Sequence, residues 1–222
     1  VSSRSWMLMP GDGTKTVYVQ YKDAVGNVTL PISASIVLDT NPPAATFISL
    51  NDGDDFTNST AATATLSATD ATHMRLSVDG LFDEEPWVAY DISHEVTLLS
   101  EEGEQRVDVM FRDAAGNVSM ANSDVIYLDM TPPELKSMDL LSIAAASDGT
   151  LWVTEENATL AVDIMADDGA SGVSAVALVE GMTEPNPDDV TFNAVFASPG
   201  LFLKTEYVTL NTAEGPTNVY LF

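Results

Sequence analysis

Residues 107–118 read VDVMFRDAAGNV and residues 17–28 read VYVQYKDAVGNV, so one pattern occurs twice, ninety positions apart. The match extends without a gap from 13–43 onto 103–133. A third, interrupted copy begins at Gly215. Self-similarity at a fixed period indicates an array of structural repeats, so the fold depends on what one repeat can form.

Apolar residues alternate with other residues in the first half of each copy. Val107, Val109 and Phe111 take every second position, and mostly charged or polar residues lie between them. A period of two is typical of a β-strand that buries one face. We therefore predict a strand in each copy whose alternate side chains face a core.

A chain reversal is predicted directly after this strand. Asp113 and Gly116, like Asp23 and Gly26, stand at the first and fourth positions of a four-residue turn. The Asp carboxylate can accept backbone N–H groups inside a type I turn, and glycine tolerates the positive φ that follows. The chain is expected to return in a second strand.

The second strands are predicted at 35–38 and 124–128, so each copy forms a β-hairpin. They are followed by Pro42-Pro43 and Pro132-Pro133. Proline cannot donate to a sheet ladder and holds the preceding residue in an extended conformation. Each repeat is therefore predicted to end in a hairpin and a stiff linker.

The repeat divides the chain into three domains, and the fold class is predicted to be all-β. Residues 1–40 are expected to hold the C-terminal part of one domain, with a strand at 6–8 whose Trp6 and Leu8 face inward. Residues 41–130 form a complete domain, in which about seven short strands and frequent turn signals are typical of an immunoglobulin or fibronectin sandwich. Residues 131–222 form a longer domain, truncated before its last strand.

The longer domain departs from the others in two stretches. Its segment 160–168 parallels 62–70, and both end in Asp. The additional residues are expected in 140–150 and in the acidic, Pro-rich stretch 184–189. An excursion of this kind reads as a surface loop and could carry a binding function.

Composition excludes several classes of function. The chain has 222 residues, no cysteine and a formal charge of −26. Such acidity repels nucleic-acid phosphates and anionic lipid, and no apolar run approaches a membrane span. The simplest interpretation of the negative charge, which requires no specific partner, is a solvated surface that keeps the protein soluble. Without cysteine there is no disulfide framework.

We assign no catalytic, cofactor-binding or metal-ligating residue from the sequence. Calcium is the one cation considered, because oxygen donors from two domains could rigidify a junction. The turn acids Asp23 and Asp113 are explained by turn geometry. The remaining candidates flank the linkers or lie in loops that could gather at sandwich ends: Asp39, Asp52, Asp54, Asp70, Asp129, Asp167 and Asp168.

The sequence does not predict an enzyme. His73 and His94 have no metal-ligand spacing, and neither a nucleophile elbow nor a phosphate-cradling loop occurs. The acidic pairs Glu101-Glu102 and Glu155-Glu156 are sequence neighbours, which point to opposite faces in a strand. They are interpreted as solvated loop charge.

Four asparagines open an Asn-x-Ser/Thr triplet that could accept an N-glycan where the cell provides the machinery. Two of them belong to the repeated turn, which explains their presence without modification. The four are Asn27, Asn58, Asn117 and Asn157.

The sequence resembles the bacterial immunoglobulin-like repeats found in tandem in large secreted and cell-surface proteins. The resemblance covers the middle domain from end to end and most of the first fragment, and is weaker in the third domain. It rests on GDGTKTVYV at 11–19, RDAAGNVS at 112–119, DFTNST at 55–60, LSATD at 66–70 and LDMTPP at 128–133. It implies an extracellular array of sandwiches that acts as a stalk, spacer or adhesin.

We therefore expect an excerpt of a structural or adhesive repeat region, forming an acidic, rod-like stalk or spacer of a cell-surface or filament protein. Its partners would be neighbouring repeats of the same polypeptide, with other surface or filament proteins or glycans as further candidates. Two alternatives stay open. One is a carbohydrate- or ligand-binding module in 131–222, favoured if Trp87, Trp152 or Phe202 form a flat exposed patch, and the other is an accessory region of a secreted hydrolase.

Overall fold

The computed structural model describes residues 5–141, 159–181, 193–194, 200–209 and 218–221. These residues contain seventeen β-strands, one short 3-10 turn at Asn51–Gly53 and no α-helix. The all-β fold class is therefore confirmed for the described part of the chain. It divides into two compact units, one up to Leu128 and one from Asp129.

The first unit opens with a two-stranded antiparallel hairpin. Strand β1 (Gly13–Val19) pairs with β2 (Ile32–Leu38). Gly13 lies opposite Leu38, and Val19 lies opposite Ile32. The predicted hairpin is thus present, with a second strand that begins three residues earlier than expected.

The predicted strand at 6–8 is absent, and Trp6 is 69% exposed rather than inward-facing. The equivalent segment of the middle repeat, around Val96, pairs with a neighbouring strand at Ala62. No described residue offers such a partner to Trp6. A β-strand needs a ladder for its backbone groups, so local alternation alone does not create one.

The rest of the first unit is a sandwich-like pair of sheets. One sheet has five strands in the order β4-β10-β9-β6-β7, and the other has three in the order β3-β5-β8. All pairings are antiparallel except the short one between β4 and β10. The strands are β3 (Ala44–Leu50), β4 (Phe56–Thr57), β5 (Ala61–Thr69), β6 (His73–Ser77), β7 (Val88–Ala89), β8 (Ser93–Thr97), β9 (Gly103–Arg112) and β10 (Asn122–Leu128).

The core of this unit forms because alternate residues of facing strands point inward. Val107, Val109 and Phe111 of β9 are fully buried, which confirms the predicted inward face of this strand. The rings of Tyr90 and Phe111 pack in a T-shaped arrangement, with centroids 5.7 Å apart. The opposite sheet contributes Ile48, Leu50, Ala62, Ala64, Leu66 and Val96.

The residues of the first hairpin that match the buried residues of β9 are more exposed to solvent. Tyr21 is 66% exposed and Val19 is 44% exposed, although Phe111 and Val109 at the matching positions are both 0% exposed. The predicted buried face is therefore wrong for Val19 and Tyr21, while Val17 is half-buried. Burial of a strand face needs a second sheet across from it, and β1 and β2 pair only with each other in the described part.

The second unit contains a three-stranded antiparallel sheet in the order β11-β12-β16 and two strand pairs, β13 with β15 and β14 with β17. Its strands are β11 (Glu134–Leu141), β12 (Thr159–Asp168), β13 (Ala175–Val176), β14 (Leu178–Gly181), β15 (Asn193–Ala194), β16 (Gly200–Thr209) and β17 (Asn218–Leu221).

This unit repeats pairings of the first. The central strand β12 covers the segment predicted to parallel 62–70, and its Val162 and Ile164 are buried. The sheet β11-β12-β16 matches β3-β5-β8 in order and direction. The predicted excursion at 184–189 and most of 140–150 lie outside the described residues.

Both Pro-Pro linkers lead into an irregular first strand. The ladder of β3 shifts between Ala44 and Phe47, and that of β11 shifts between Leu135 and Ser137, ninety positions later. Ala45 has a φ of 50°, which is uncommon for a residue with a side chain. The two shifts overlap when the numbering is moved by ninety, and extra residues of this kind locally bend a strand.

We expect Phe111→Ala to destabilise the first unit by about 3–5 kcal/mol, because it removes a fully buried ring and leaves a cavity. Tyr21→Ala, at the matching and exposed position, should change stability by less than about 0.5 kcal/mol. Urea unfolding followed by the fluorescence of Trp87, with Trp6 and Trp152 replaced by Phe, measures both. Equal effects of the two substitutions would contradict the assignment of the core.

Candidate functional site in the repeated turn and the linker

The turn after β9 is built around one carboxylate. Asp113 Oδ1 accepts the backbone N–H groups of Gly116 at 2.7 Å and Asn117 at 2.9 Å. Its Oδ2 accepts the side-chain amide of Asn117 at 2.8 Å. Gly116 has a φ of 100°, where a Cβ would be strained. The predicted Asp-to-Gly reversal is confirmed.

The turn after β1 has the same design. Asp23 Oδ1 accepts the N–H groups of Val25 at 3.0 Å and Asn27 at 2.8 Å, and Oδ2 accepts the Asn27 amide at 2.8 Å. Gly26 has a φ of 103°. Both turns share the two bonds to the asparagine, while the third N–H comes from Val25 in one turn and from Gly116 in the other. The shared bonds form both beside a packed core and in an open hairpin, so the local sequence is sufficient for them.

Hydrogen bonding lowers the pKa of both turn carboxyls. Burial alone raises the pKa of Asp113, but the donors from Asn117, Gly116 and Ala115 outweigh it, so the pKa lies below the usual value. The pKa of Asp23 is lowered chiefly by the side-chain amide of Asn27. Donors that stabilise the charged form favour deprotonation.

Asn117 also binds the linker that precedes its own domain. Its Nδ2 lies 3.1 Å from the carbonyl oxygen of Asp39 and 3.3 Å from that of Asn41. The Asn117 side-chain amide has two hydrogens and three acceptors within reach, because it also donates to Asp113 Oδ2. From the sequence, Asn117 was explained by the turn alone, and its bonds to the linker carbonyls were not predicted.

Asp12 holds the same linker from the side of the first hairpin. Its Oδ1 accepts the backbone N–H of Thr40 at 3.1 Å and the Thr40 hydroxyl at 2.8 Å, and its Oδ2 accepts the side-chain amide of Asn41. We call residues 39–41 with Asp12 and Asn117 the linker clamp. One feature of the sequence could have pointed to Asp12: both copies of the repeated stretch have an acidic residue directly before their first glycine, Asp12 in one and Glu102 in the other.

The start and end of the middle domain are joined beside the clamp. Asn122 Nδ2 donates to the carbonyl oxygen of Thr46 at 2.7 Å, and the N–H of Leu50 donates to Asp124 Oδ2 at 2.8 Å. These bonds link β3 of one sheet to β10 of the other. The strand that leaves the linker is thereby fixed to the strand that ends the domain.

Three of the seven acids considered as calcium ligands accept backbone N–H groups, namely Asp39, Asp129 and Asp168. Asp39 Oδ1 accepts the N–H of Asn41 at 3.1 Å. Asp129 accepts N–H groups from Thr131 and Ser171, and its pKa is lowered chiefly by a hydrogen bond from the side chain of Ser171. Within the described ranges, no three His, Asp or Glu side chains are grouped so that they could hold a metal ion.

The aromatic residues considered for carbohydrate binding do not form an open surface in the described residues. The guanidinium carbons of Arg75 and Arg112 lie 4.8 and 4.6 Å from the centre of the Trp87 ring, where a sugar would have to stack. Phe202 packs against a small buried cluster of Ala166, Val173 and Val176. Trp152 lies outside the described residues.

The three described Asn-x-Ser/Thr sites differ in their side-chain environment. Asn27 and Asn117 donate their amides within the turns. Asn58 is exposed in the loop between β4 and β5. Asn157 lies outside the described residues.

No helix in the described part of the chain has the length and apolar character needed to cross a membrane. No protein-family model matches this sequence, and a search of curated proteins gives no significant match.

We expect Asp113→Asn to make the stability of the protein depend less on pH in the acidic range. A carboxyl with a lowered native pKa stabilises the fold above its usual pKa of about 3.9, and this contribution is lost as the pH falls through the native pKa. The thermal midpoint of the unsubstituted protein should therefore fall more steeply between about pH 4 and pH 2 than that of the variant. At pH 7 the variant should unfold several degrees lower.

Asp54→Asn, in an exposed loop, serves as the matched control and should alter the profile much less. Identical acid slopes for the unsubstituted protein and Asp113→Asn would contradict the role given to the turn carboxylate. Circular dichroism melts at half-unit pH steps supply the measurement.

Proposed function

We propose that this chain is a segment of tandem immunoglobulin-like repeats that acts as a structural spacer or adhesive stalk outside the cell, as part of a cell-surface or filament protein. In this role the segment sets the distance and the relative direction of the parts of the protein on either side of it. No catalytic step is assigned to it. Neighbouring repeats are its first partners.

The strand order supports the immunoglobulin-like assignment. The three-stranded sheet β3-β5-β8 matches strands A, B and E of an immunoglobulin sandwich, and β10-β9-β6 matches strands G, F and C. The second unit repeats the A-B-E relation in β11-β12-β16. Repetition of one sheet plan along the chain is the pattern of a repeat array.

The linker clamp is the observation that carries the proposal. A linker between domains normally permits relative motion, because few contacts cross it. Residues 39–41 are instead bound by Asp12 on one side and by Asn117 on the other, and two prolines follow. A spacer that must keep its direction needs a junction restrained in this way, whereas an independent binding module does not.

The charge is compatible with this role. A formal charge of −26 keeps the surface solvated and opposes collapse of one repeat onto the next. The repulsion acts only over a Debye length of about 8 Å at physiological ionic strength. Charge can therefore act between neighbouring repeats, while the clamp fixes the junction itself.

We expect Asn117→Ala to loosen the junction of the first hairpin and the middle domain. The chain has no cysteine, so spin labels at Ser33→Cys and Thr97→Cys, both exposed, report one distance by pulsed electron resonance. That distance distribution should be narrow in the otherwise unsubstituted chain. It should broaden at least about twofold in Asn117→Ala, which removes the donor to both linker carbonyls.

Asn27→Ala is the matched control, because within the described residues its amide makes the same bond in its own turn and none to residues 39–41. It should leave the distribution as narrow as before. If both substitutions broaden the distance distribution equally, the broadening comes from loss of the turn bonds and not from the linker. If Asn117→Ala does not broaden it, the linker clamp does not restrain the junction.

We also expect small-angle scattering of the full chain to give a radius of gyration well above the value of about 17 Å for a compact protein of this length. The increase should persist in salt, because covalent linkers and hydrogen bonds, rather than charge alone, hold the repeats apart. A radius near 17 Å at all salt concentrations would contradict the spacer role.

A further inference from the structure

The positive side chains of the middle domain all lie on one face of its larger sheet. Residues 41–128 contain three arginines and no lysine. Arg106 and Arg112 lie on β9, where the residues that alternate with them are buried in the core. Arg75 lies on β6 and donates to Met110 Sδ, on the same side of the sheet. The outer face of the five-stranded sheet therefore carries every arginine of an otherwise acidic domain.

Two of these arginines have no carboxylate partner. Arg106 pairs with Asp108 at 2.7 Å, but no carboxylate of the described residues lies within ion-pair distance of Arg75 or Arg112. Arg75 donates to the carbonyl oxygen of Phe82 at 2.9 Å, and its Nε is buried without an acceptor. The half-buried Arg112 donates no side-chain hydrogen bond to any described residue. Its guanidinium N–H groups are therefore unpaired.

Trp87 brings the two unpaired guanidiniums together. Their central carbons lie 4.8 Å (Arg75) and 4.6 Å (Arg112) from the centre of its ring. Like charges held this close repel, and a bound anion would remove the repulsion. A guanidinium placed over an aromatic ring is restricted in its rotation, and its planar fork matches the two oxygens of a carboxylate. Arg112 is thus prepared to bind a carboxylate.

The indole stands beside an open edge of the sheet, because β7 is the last strand in the order β4-β10-β9-β6-β7. The N–H of Tyr90 donates to the carbonyl oxygen of Thr72 at 3.0 Å. Since backbone direction alternates along an antiparallel ladder, Ala89 directs its N–H and C=O away from β6. The Ala89 side chain is small and exposed, so it does not obstruct this edge. Open backbone groups of this kind pair with an added strand.

We propose that the edge of β7 binds an extended acidic segment of a partner protein, whose backbone pairs with Ala89 and whose carboxylate binds Arg112. Neighbouring strands lie about 4.8 Å apart, so a glutamate of the added strand starts one strand spacing from Trp87, whose ring carries the guanidinium. An acidic glycan fits less well, because the two guanidiniums already contact the ring on which a sugar would stack. This site does not depend on the spacer role.

The probe is a capped peptide of five Thr-Glu repeats, with five Thr-Gln repeats as its neutral control. Binding to the full chain is followed by the fluorescence of Trp87, with Trp6 and Trp152 replaced by Phe. We expect saturable binding of the acidic peptide. The neutral peptide should bind at least about tenfold more weakly, because it lacks the charge-assisted bonds to the guanidinium.

Three variants make the result specific. Arg112→Gln should weaken binding at least about tenfold, and Arg112→Lys, which keeps the charge without the planar fork, at least about threefold. Lys22→Gln is the matched control, because Lys22 occupies the same position of the repeat and contacts no aromatic ring among the described residues. It removes one charge and should leave binding unchanged. Amide spectra verify that each variant is folded.

N-methylated peptides test the backbone pairing. One edge of a strand uses only alternate N–H groups, so methylating either all the glutamates or all the threonines should abolish binding, while methylating the other set should not. Equal losses in Arg112→Gln and Lys22→Gln, or indifference to both methylated sets, would overturn the proposal.

The other occupants give different results. Failure of the acidic peptide to bind while polygalacturonate binds would overturn the proposal in favour of an acidic glycan. Self-association of the chain that Arg112→Gln abolishes, seen by sedimentation, would overturn it in favour of a second copy. Failure of both peptide and polygalacturonate to bind the folded protein would remove the site altogether.

Discussion

Burial of one strand face against a second sheet is the constraint on which this fold depends. In the middle domain, β9 places Val107, Val109 and Phe111 between two sheets, and these side chains lose all contact with solvent. Burying a residue of this size contributes about 1.5–3 kcal/mol, so a few such positions decide whether a domain of this length is stable. The first hairpin has the same alternation without the second sheet in the described residues, and its Val19, Tyr21 and Ile36 remain exposed.

Local hydrogen bonds determine the shape of the turns, whereas the core depends on strands that are distant in sequence. The Asp-to-Gly turns keep the same bonds at Asp23 and Asp113, although only the second lies beside a packed core. Turn geometry therefore comes from the short motif itself, whereas burial comes from distant strands. The linker clamp combines both, because Asn117 donates within its turn and to the carbonyl of Asp39.

Much of the fold could be predicted from periods and turn residues. Alternation gave β9, and the Asp-x-x-Gly motif gave the reversal, because each depends on neighbouring residues only. The strand at 6–8 could not be judged in this way, since a strand requires a partner that local pattern does not reveal. The clamp was missed for a similar reason: its bonds join residues 28 to 78 positions apart, and no periodicity encodes them.

The length of these connections has a consequence for the order of assembly. The carbonyl of Asp39 receives its bond from an asparagine 78 positions later, and β3 is joined to β10 across a similar span. During synthesis at roughly 5–20 residues per second, a joint of this kind stays unlocked for several seconds after its own residues have emerged. The linker at residues 39–41 is therefore restrained by Asn117 only after the turn that contains this asparagine has been synthesised.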